Sequence, residues 1–327
     1  MEDIKELVNF SLINIDKPTG PTSFTISDYV RKRLGISKAS HMGTLDPKVT
    51  GVLPITLGRA CKLAAYFIRH DKTYVGILHT HKEQDMKELQ KLINEKFVGK
   101  IKQTPPNRSA VKREEREREV YFWNLIEVFR EDTRTGVPFL GDSSNLDVNT
   151  GKDFLFECKV EGGTYIRKLC SDLGEIIGGA HMDELRRTEA GIFDETTLVT
   201  MTEFDSAFDK MKSHRASNGH ENLSQGDPKG PNGDEKPFRA MLVRAEDAIK
   251  KVMLFVEIDK QAIGGLHTGK PLFKKDVLSQ RDDSGEPKSV KLKMGESFAV
   301  FCGEQFIGVY SKVGEGEVLG KAEFVFS

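Results

Sequence analysis

The chain has 327 residues, of which 38% are hydrophobic, and this suffices for one substantial domain and a smaller one. Lysine and arginine number 49 against 50 aspartate and glutamate residues, so the net charge of -1 argues against a generally basic nucleic-acid binder and confines any RNA site to a local patch. The four cysteines form no C-x-x-C pair, and no apolar run approaches the ~18 residues of a membrane span, which favours a protein of the reducing cytoplasm.

A short strand and a capped helix are predicted at the start of the chain. The strand begins near Ile13 and breaks at residues 17–23, which read Lys-Pro-Thr-Gly-Pro-Thr-Ser. Thr22 or Ser23 then caps a helix whose apolar residues follow helical spacing, and Gly35 ends that helix.

Residues 41–54, here named the Asp46 loop, read His-Met-Gly-Thr-Leu-Asp-Pro-Lys-Val-Thr-Gly-Val-Leu-Pro. Pro47 biases Asp46 away from the helical region, while Gly43 and Gly51 permit backbone conformations closed to other residues. The carboxylate is therefore held in place. A held carboxylate can be a helix cap, a turn former, a nucleophile or a general base, and an Asp-Pro pair alone is most often a turn.

Regular elements are predicted again after this loop. Residues 52–58 are extended, residues 59–68 form a short helix, and residues 72–78 form a strand rich in β-branched and aromatic side chains. Tyr74 lies in that strand, where a lone tyrosine usually packs in the core with its hydroxyl satisfied. Residues 85–97 have the spacing of an amphipathic helix.

The middle of the chain alternates between irregular and extended segments. Two prolines exclude regular structure in residues 103–113, and the alternating charges of residues 112–119 indicate a solvated face. Strands are predicted at residues 121–129 and 154–160, with a long loop rich in Gly, Asp, Ser and Asn over residues 132–151.

A helix with one apolar face follows from Thr164, a good cap residue, to Gly178. Arg167 lies in its first turn, off the apolar face. An arginine is poorly placed there, because the helix dipole favours anions at the N-terminus. Either Arg167 is an exposed arginine, or it pairs with a carboxylate from elsewhere in the chain, for which Asp46 is the candidate.

The last third of the chain changes in composition. Residues 206–237 are predicted to be a low-complexity linker or loop, residues 238–250 a helix, and the rest short strands with glycine-rich turns that indicate a small β-barrel. The predicted domains are therefore residues 1–205 and 238–327, joined by the linker.

Several of these motifs, in their order along the chain, resemble the TruB and dyskerin family of pseudouridine synthases. The motifs are Lys-Pro-Thr-Gly at 17–20, the Asp46 loop, Lys-Thr-Tyr at 72–74, Pro-Pro-x-x-Ser-Ala-Val-Lys-Arg at 105–113, Gly-Thr-Tyr-Ile-Arg at 163–167 and Leu-Arg-Arg-Thr at 185–188. The resemblance implies an α+β fold, with a mixed, largely antiparallel sheet flanked by helices. Residues 264–272 and 294–296 more loosely resemble a PUA RNA-binding domain, which is a small β-barrel.

The resemblance also implies roles for single residues. Asp46 is the nucleophile, attacking either the ribose anomeric carbon or C6 of the base, Arg167 contacts it and keeps it ionised, and Tyr74 stacks on the base and later removes the C5 proton. The residues implied in substrate binding are His41, Lys17, Tyr165, Leu185, Arg186 and Arg187. Of these, the two adjacent arginines are either phosphate contacts or solvated charges.

The implied reaction turns uridine into pseudouridine and needs neither metal nor organic cofactor. His79 and His81 share a strand face, but the sequence offers no third metal ligand near them. The implied partner is RNA, either tRNA modified at its T-loop uridine or rRNA selected by a box H/ACA guide RNA with small accessory proteins. The segment at 105–113 and the PUA-like tail favour the archaeal type, and no membrane partner is expected.

Two other functional classes remain open on sequence grounds. A non-catalytic RNA-binding scaffold would use the same fold and the PUA-like module to hold RNA. A carboxylate-dependent glycoside hydrolase would need a second acid near the first, and no motif supplies one.

Overall fold

The computed structural model describes residues 3–105, 112, 114–131, 138–140, 149–217, 235–281, 292–314 and 316–326. The α-helices in these residues are α1 (Ile4–Asn9), α2 (Ser23–Leu34), α3 (Ala64–Ile68), α4 (Met86–Lys96), α5 (Ile166–Ile177), α6 (Met201–Ser217), α7 (Lys236–Ala240), α8 (Ala245–Lys250) and α9 (Ile263–His267). Short 3-10 helices lie at Gly58–Leu63, Glu195–Thr197, Lys260–Ala262 and Lys274–Asp276.

The strands fall into two sheets. They are β1 (Ser11–Lys17), β2 (Ala39–His41), β3 (Thr50–Leu57), β4 (Lys72–Asp85), β5 (Gly99–Gln103), β6 (Arg116–Glu131), β7 (Pro138–Leu140), β8 (Thr150–Val160), β9 (Ala180–Ala190), β10 (Phe193–Asp194), β11 (Leu242–Arg244), β12 (Phe255–Ile258), β13 (Leu272–Phe273), β14 (Val277–Arg281), β15 (Ser297–Cys302), β16 (Gln305–Lys312) and β17 (Val318–Val325).

The large sheet has the strand order β11-β1-β3-β9-β4-β8-β6-β5, and the small sheet has the order β13-β17-β16-β15-β12-β14. Along the large sheet every described pair in this order is antiparallel except β3 with β9. Strands β2, β7 and β10 pair at its side with β3, β6 and β9. The predicted α+β class is confirmed, with its largely antiparallel sheet, its flanking helices and a C-terminal β unit.

One row of the large sheet brings distant residues together. Lys17 of β1 faces Gly51 of β3, Gly51 faces Arg187 of β9, and Arg187 faces Tyr74 of β4. The pairing of four strands therefore assembles the row that lies beneath the Asp46 loop. The sequence pattern did not predict β9, in which two thirds of the side chains are polar.

The main hydrophobic core lies between this sheet and helices α2, α4 and α5. Buried side chains from both sides of the Asp46 loop and from the predicted site enter the same cluster, namely Leu45, Val49, Tyr74, Ile166 and Leu185. Because cores pack closely, these five positions are fixed relative to one another. The sheet and its helices thus form a rigid base for the loop.

Most elements predicted before residue 103 are present at nearly the predicted bounds. Helix α2 is capped by the Thr22 hydroxyl, which accepts from Thr25 N–H at 3.0 Å, and it ends at Gly35 with a φ of 66°. Helix α4 is capped by Asp85. The helix predicted at residues 59–68 is divided into a 3-10 helix and α3.

The cap predicted at Thr164 is wrong. Helix α5 begins one residue later, after Tyr165, whose side chain makes no cap hydrogen bond. The Thr164 hydroxyl instead donates to the carbonyl of Glu161 at 2.8 Å, closing the turn that precedes the helix. A threonine before a helix can close such a turn as readily as it can cap.

The prediction of a linker or loop is also wrong for residues 206–217, because α6 continues to Ser217. Phe204, Phe208 and Met211 are buried on one side of this helix, and Arg33 of α2 pairs with Asp209 at 2.6 Å on another. The polar composition concealed a stripe of three apolar residues at helical spacing. Residues 218–234 lie outside the described residues.

The helix predicted at residues 238–250 is in fact α7, β11 and α8, and β11 pairs with β1. The edge of β1 offers backbone groups that a strand satisfies and a helix does not. Residues 242–244, which were predicted to belong to the C-terminal domain, thus pair with the large sheet. The predicted domain boundaries stay a prediction.

The predicted loop at residues 132–151 contains β7, which pairs with β6, and the start of β8. The charged run predicted as a solvated face leads into β6 at Arg116. In the motif at 105–113, residues 106–111 and 113 lie outside the described residues. None of the described helices is long and apolar enough to cross a membrane.

Gly51 allows the row to form, since its φ is 97° and a methyl group there would overlap the carbonyl oxygen of Arg187. We expect Gly51→Ala to lower the free energy of unfolding by roughly 2–4 kcal/mol, because strain in the left-handed region and a backbone overlap add together. Urea denaturation of the purified variant measures this change.

Gly99 provides the matched control for this prediction. Its φ is 91°, and a methyl group there would meet nothing within 4 Å. Gly99→Ala should therefore cost only the conformational strain, about 1–2 kcal/mol. Equal losses in the two variants would show that the close approach of Gly51 to β9 has no energetic weight.

Candidate active site

The predicted pair between Asp46 and Arg167 is present, with the Arg167 Nη2 atom bonded to Asp46 Oδ2. The two side chains remain 47% and 52% exposed. An ion pair at such exposure contributes at most about 1 kcal/mol to stability, so it does not hold the loop in place. The ion pair instead orients the Asp46 carboxylate, which stays accessible to solvent.

The backbone after Asp46 is held by Lys17, which is fully buried. Its ammonium donates to the carbonyls of Pro47 at 3.1 Å, Val49 at 2.8 Å and Pro18 at 2.9 Å. Burial lowers the pKa of Lys17, because the charged form loses its hydration. The ammonium therefore fixes three carbonyls, two of them in the Asp46 loop.

The backbone before Asp46 is held by Ser23, at the start of α2. Its hydroxyl accepts from Leu45 N–H at 2.8 Å and donates to Leu45 C=O at 3.1 Å. Sequence reasoning considered Ser23 only as a cap residue, and a local pattern has no signal for a bond to a residue 22 positions away. Both neighbours of Asp46 are thus tied to buried polar side chains.

Arg187 ties the two arms of the loop together. This buried side chain donates from Nε to Val52 C=O at 2.7 Å and from Nη2 to Gly43 C=O at 3.1 Å. A guanidinium used in this way lies beneath the loop, away from solvent. The contacts favour a positioning role over the predicted contact to RNA phosphate.

Arg186 is occupied by two carboxylates. It binds Asp16 bidentately, at 2.9 and 3.1 Å, and its Nε donates to Glu195 at 2.6 Å. These bonds join β1 and β9 beside the row that contains Lys17 and Arg187. As with Arg187, the observed contacts give no support to the predicted phosphate contact.

His41 lies at the start of the loop, half-buried. Its Nε2 is 3.2 Å from the Thr44 hydroxyl and its Nδ1 is 3.4 Å from the Ser27 hydroxyl. Burial, with a smaller contribution from the charge of Arg187, lowers the pKa of His41 below its usual value of 6.5. The neutral imidazole is therefore favoured at neutral pH.

Tyr74 and Leu185 are both buried in the core cluster that supports the loop. The backbone of Tyr165, beside Arg167, is held by Gln103, whose amide accepts from Tyr165 N–H at 3.0 Å and donates to its C=O at 3.2 Å. Sequence reasoning missed Gln103, since nothing in its neighbourhood points to residue 165.

A cleft opens beside the Asp46 loop, across the exposed face of β4, β8 and β9. Its lining includes Lys48 and Thr50 from the loop, Leu185 and Arg186 from β9, and Ile77 from β4. The cleft adjoins the loop and Leu185, but Asp46, Arg167 and Tyr74 are not among the residues that line it.

The imidazoles of His79, His81 and His181 lie side by side on the sheet, with ring centroids 4.9–6.2 Å apart. His79 Nδ1 is 2.6 Å from a carboxylate oxygen of Asp153. Within the part of the chain that the structure describes, no group of three or more His, Cys, Asp or Glu side chains is arranged to hold a metal ion.

Two family models match adjoining parts of the chain. The model of the TruB family pseudouridylate synthase N-terminal domain matches residues 31–166, and that of the tRNA pseudouridylate synthase B C-terminal domain matches residues 167–249.

Two solved structures are similar over the whole chain. A chain in the crystal structure of a Cbf5-Nop10-Gar1 complex is 29% identical, with a TM-score of 0.77, covering 100% of this chain and 88% of that chain. A chain in the structure of an H/ACA RNP bound to a substrate RNA containing 2'-deoxyuridine is 27% identical, with a TM-score of 0.75 and the same coverage.

Relatives in archaea carry the name probable tRNA pseudouridine synthase B. The protein of Methanopyrus kandleri is 42% identical over 64% of this chain, but the match spans only 56% of that relative's length. The protein of Methanocaldococcus jannaschii is 34% identical over 91% of this chain and 77% of its own length. On these matches, the chain belongs to the TruB family of pseudouridylate synthases.

Proposed function

We propose that this protein is an RNA pseudouridine synthase, an isomerase that detaches the uracil of a uridine and rejoins it to the ribose through C5. The observation that carries the proposal is the Asp46 carboxylate, paired with Arg167 and open to solvent on a loop that buried side chains hold from below. A nucleophile needs this combination of fixed position and access. The names of the archaeal relatives support the same activity.

The proposed reaction begins when a uridine leaves its stack and reaches Asp46, at a cost of roughly a few kcal/mol. Asp46 attacks either the ribose anomeric carbon or base C6, and the N1–C1′ bond breaks. The uracil turns, a C5–C1′ bond forms, Asp46 is released, the C5 proton leaves and N1, which kept the electron pair of its broken bond, takes up a proton. Arg167 orients the carboxylate, Tyr74 stacks on the base and accepts the C5 proton, and Leu185 with Tyr165 shapes the apolar walls.

The remaining predicted site residues are assigned by their contacts. Lys17 and Arg187 position the loop, because both are buried and donate to its carbonyls. Arg186 joins β9 to β1 through Asp16 and to the 3-10 helix at Glu195–Thr197 through Glu195. His41, half-buried and favoured in its neutral form, supports the RNA where the base has left its stack.

The proposed substrates are tRNA, from the names of the relatives, and rRNA targets selected by guide RNA, from the H/ACA assemblies of the structural neighbours. In the second role, accessory proteins like the Nop10 and Gar1 of that complex would bind this chain. The small C-terminal sheet would act as a PUA-type RNA-binding unit beside the catalytic one. Free thiols at all four cysteines agree with a cytoplasmic location.

The decisive test replaces the nucleophile. We expect Asp46→Asn to reduce tritium release from RNA labelled at uracil C5 by at least about 10³-fold, because a carboxamide of nearly the same shape cannot attack. RNA binding, measured by filter retention, should stay within a few-fold of wild type. The exposed Asp247 of α8 provides the control, and Asp247→Asn should release tritium at the wild-type rate.

Two outcomes would reject the enzyme. Unchanged release in Asp46→Asn would remove the nucleophile from the mechanism. Wild-type protein that binds RNA tightly and releases no tritium, alone or with guide RNA and accessory proteins, would favour the non-catalytic scaffold.

Removing the Tyr74 hydroxyl separates its two proposed roles. In Tyr74→Phe the ring remains for stacking while the proton acceptor is lost, so kcat should fall by about 10²-fold with little change in KM. Single-turnover kinetics at saturating and limiting protein measures both constants. Tyr29→Phe, which removes a hydroxyl bonded to Asp205 at 2.7 Å, is the control. A Tyr74→Phe rate equal to wild type would restrict Tyr74 to packing.

Reconstitution distinguishes the two substrate classes. We expect the protein alone to isomerise the T-loop uridine of a tRNA transcript, whereas an rRNA fragment should react only with guide RNA and accessory proteins, because pairing to the guide selects its uridine. Mass spectrometry after cyanoethylation locates each product. Guide-independent modification of the rRNA fragment would contradict this division.

A further inference from the structure

Lys72 is the first residue of β4, and only 5% of its surface is exposed. The proposed reaction does not use it. Its ammonium donates to the backbone carbonyls of Ile68, at 2.5 Å, and His70. None of the carboxylates in the described ranges is within ion-pair distance of it. Burial, together with the nearby charge of Arg187 and against the weaker attraction of Asp71, lowers the pKa of Lys72 to about 8.

The side chain of Lys72 lies directly beneath the Asp46 loop. A methyl group built on Gly43 would be 3.6 Å from Lys72 Cε and 3.3 Å from Arg187 Nη1. Gly43 therefore rests on two cationic side chains, and one of them also bonds its carbonyl. These contacts place Lys72 against Gly43, which precedes the proposed nucleophile Asp46 by three residues.

A buried ammonium without a carboxylate is expensive, since its desolvation is repaid only by neutral carbonyls. A methionine of similar length would fill the same space without this cost. Lys17 and Arg187 are buried beneath the same loop and bond to carbonyls alone among the described residues. Three such cations, bonded to carbonyls and not to carboxylates, therefore lie beneath the loop that contains Asp46.

We propose, resting on the function proposed above, that Lys72 is a positioning residue for the isomerisation. It supports the first arm of the Asp46 loop through Gly43 and Arg187, and its charge favours the ionised Asp46 and the anionic RNA above it. Lys72 touches neither the base nor the ribose. Its influence therefore belongs in kcat, through the placement and charge state of Asp46, and only slightly in KM.

The charged groups around Lys72 decide how its effect depends on pH. Arg187 faces it from β9, Asp71 and His70 precede it in the chain, and His41 faces Arg187 from the loop. Lys72 loses its proton in the folded protein as the pH rises through about 8, so kcat should fall there. His41 titrates below its usual value of 6.5 and contributes no change in this range.

Stability should move the opposite way in the same range. The unfolded chain keeps the lysine proton up to a pKa near 10.5, so between pH 8 and 10.5 the unfolded state binds more protons than the folded state. The contribution of Lys72 to the free energy of unfolding therefore rises with pH while kcat falls. A lysine that served only the stability of the fold would leave kcat unaffected.

The experiment measures kcat, KM and the urea midpoint at pH 7 and pH 9 with one tRNA substrate. We expect Lys72→Met to lower kcat at pH 7 by about tenfold, with KM within twofold, as small displacements of reacting groups do. The pH-dependent gain in stability should disappear in this variant. Lys91→Met, which removes an exposed lysine of α4, serves as the control and should match wild type.

Lys72→Arg keeps a charge that does not titrate in this range, so its ratio of kcat at pH 9 to kcat at pH 7 should exceed the wild-type ratio several-fold. This comparison does not need Lys72→Met, so it remains informative if that variant fails to fold. Ionisation of the substrate affects wild type and Lys72→Arg equally and therefore cancels when their ratios are compared. A Lys72→Met kcat within twofold of wild type, an Arg ratio equal to the wild-type ratio, or a wild-type kcat constant from pH 7 to 9 overturns the proposal. Wild-type protein inactive on every RNA would instead reject the proposed function itself.

Discussion

The position of Asp46 depends on buried cations that bond to backbone carbonyls of its loop. Leaving a buried acceptor unsatisfied costs about 1–3 kcal/mol, and the ammonium of Lys17 satisfies the buried carbonyl of Val49 while it also bonds the carbonyls of Pro18 and Pro47. The half-exposed ion pair with Arg167 contributes far less. The loop is therefore held by its backbone, and the side chain of Asp46, the proposed nucleophile, remains available for chemistry. If the loop were held mainly by the ion pair with Arg167, it would lose its geometry whenever Asp46 left Arg167 to attack a substrate.

The parallel pairing of β3 with β9 makes this arrangement possible. Strand β3 begins at Thr50, four residues after Asp46, and its parallel neighbour places Arg187 beside Gly51. Helix α5 precedes β9 and is joined to it by two glycines, so the helix runs back along the strand and its N-terminus lies near the later part of β9. That connection brings Arg167 to the same edge as Asp46. One parallel pair in a largely antiparallel sheet thus positions both Arg187, which supports the loop, and Arg167, which pairs with the Asp46 carboxylate.

The sequence allowed prediction of features determined by nearby residues. The stiffness of the loop follows from Pro47 and its glycines, α2 begins and ends where its cap residues indicate, and the unfavourable place of Arg167 in a helix dipole predicts a carboxylate partner. Features determined by strand pairing escaped prediction. Arg187 was interpreted as a surface charge because a buried arginine and a solvated one have the same local sequence. The neighbours that bury it come from β1, β3 and β4.

The net charge of -1 is compatible with the proposed RNA substrate because the chain contains two kinds of cation. Arg186 and Arg33 are each bound to two carboxylates, so their charge is cancelled where it stands. Lys17, Lys72 and Arg187 are bonded to carbonyls, which carry no net charge. Because the interior is screened less by salt than the surface is, the field of these buried cations persists at ionic strengths that weaken surface contacts to phosphate. The proposed RNA affinity should thus depend more strongly on salt than the field that these buried cations exert on the Asp46 loop.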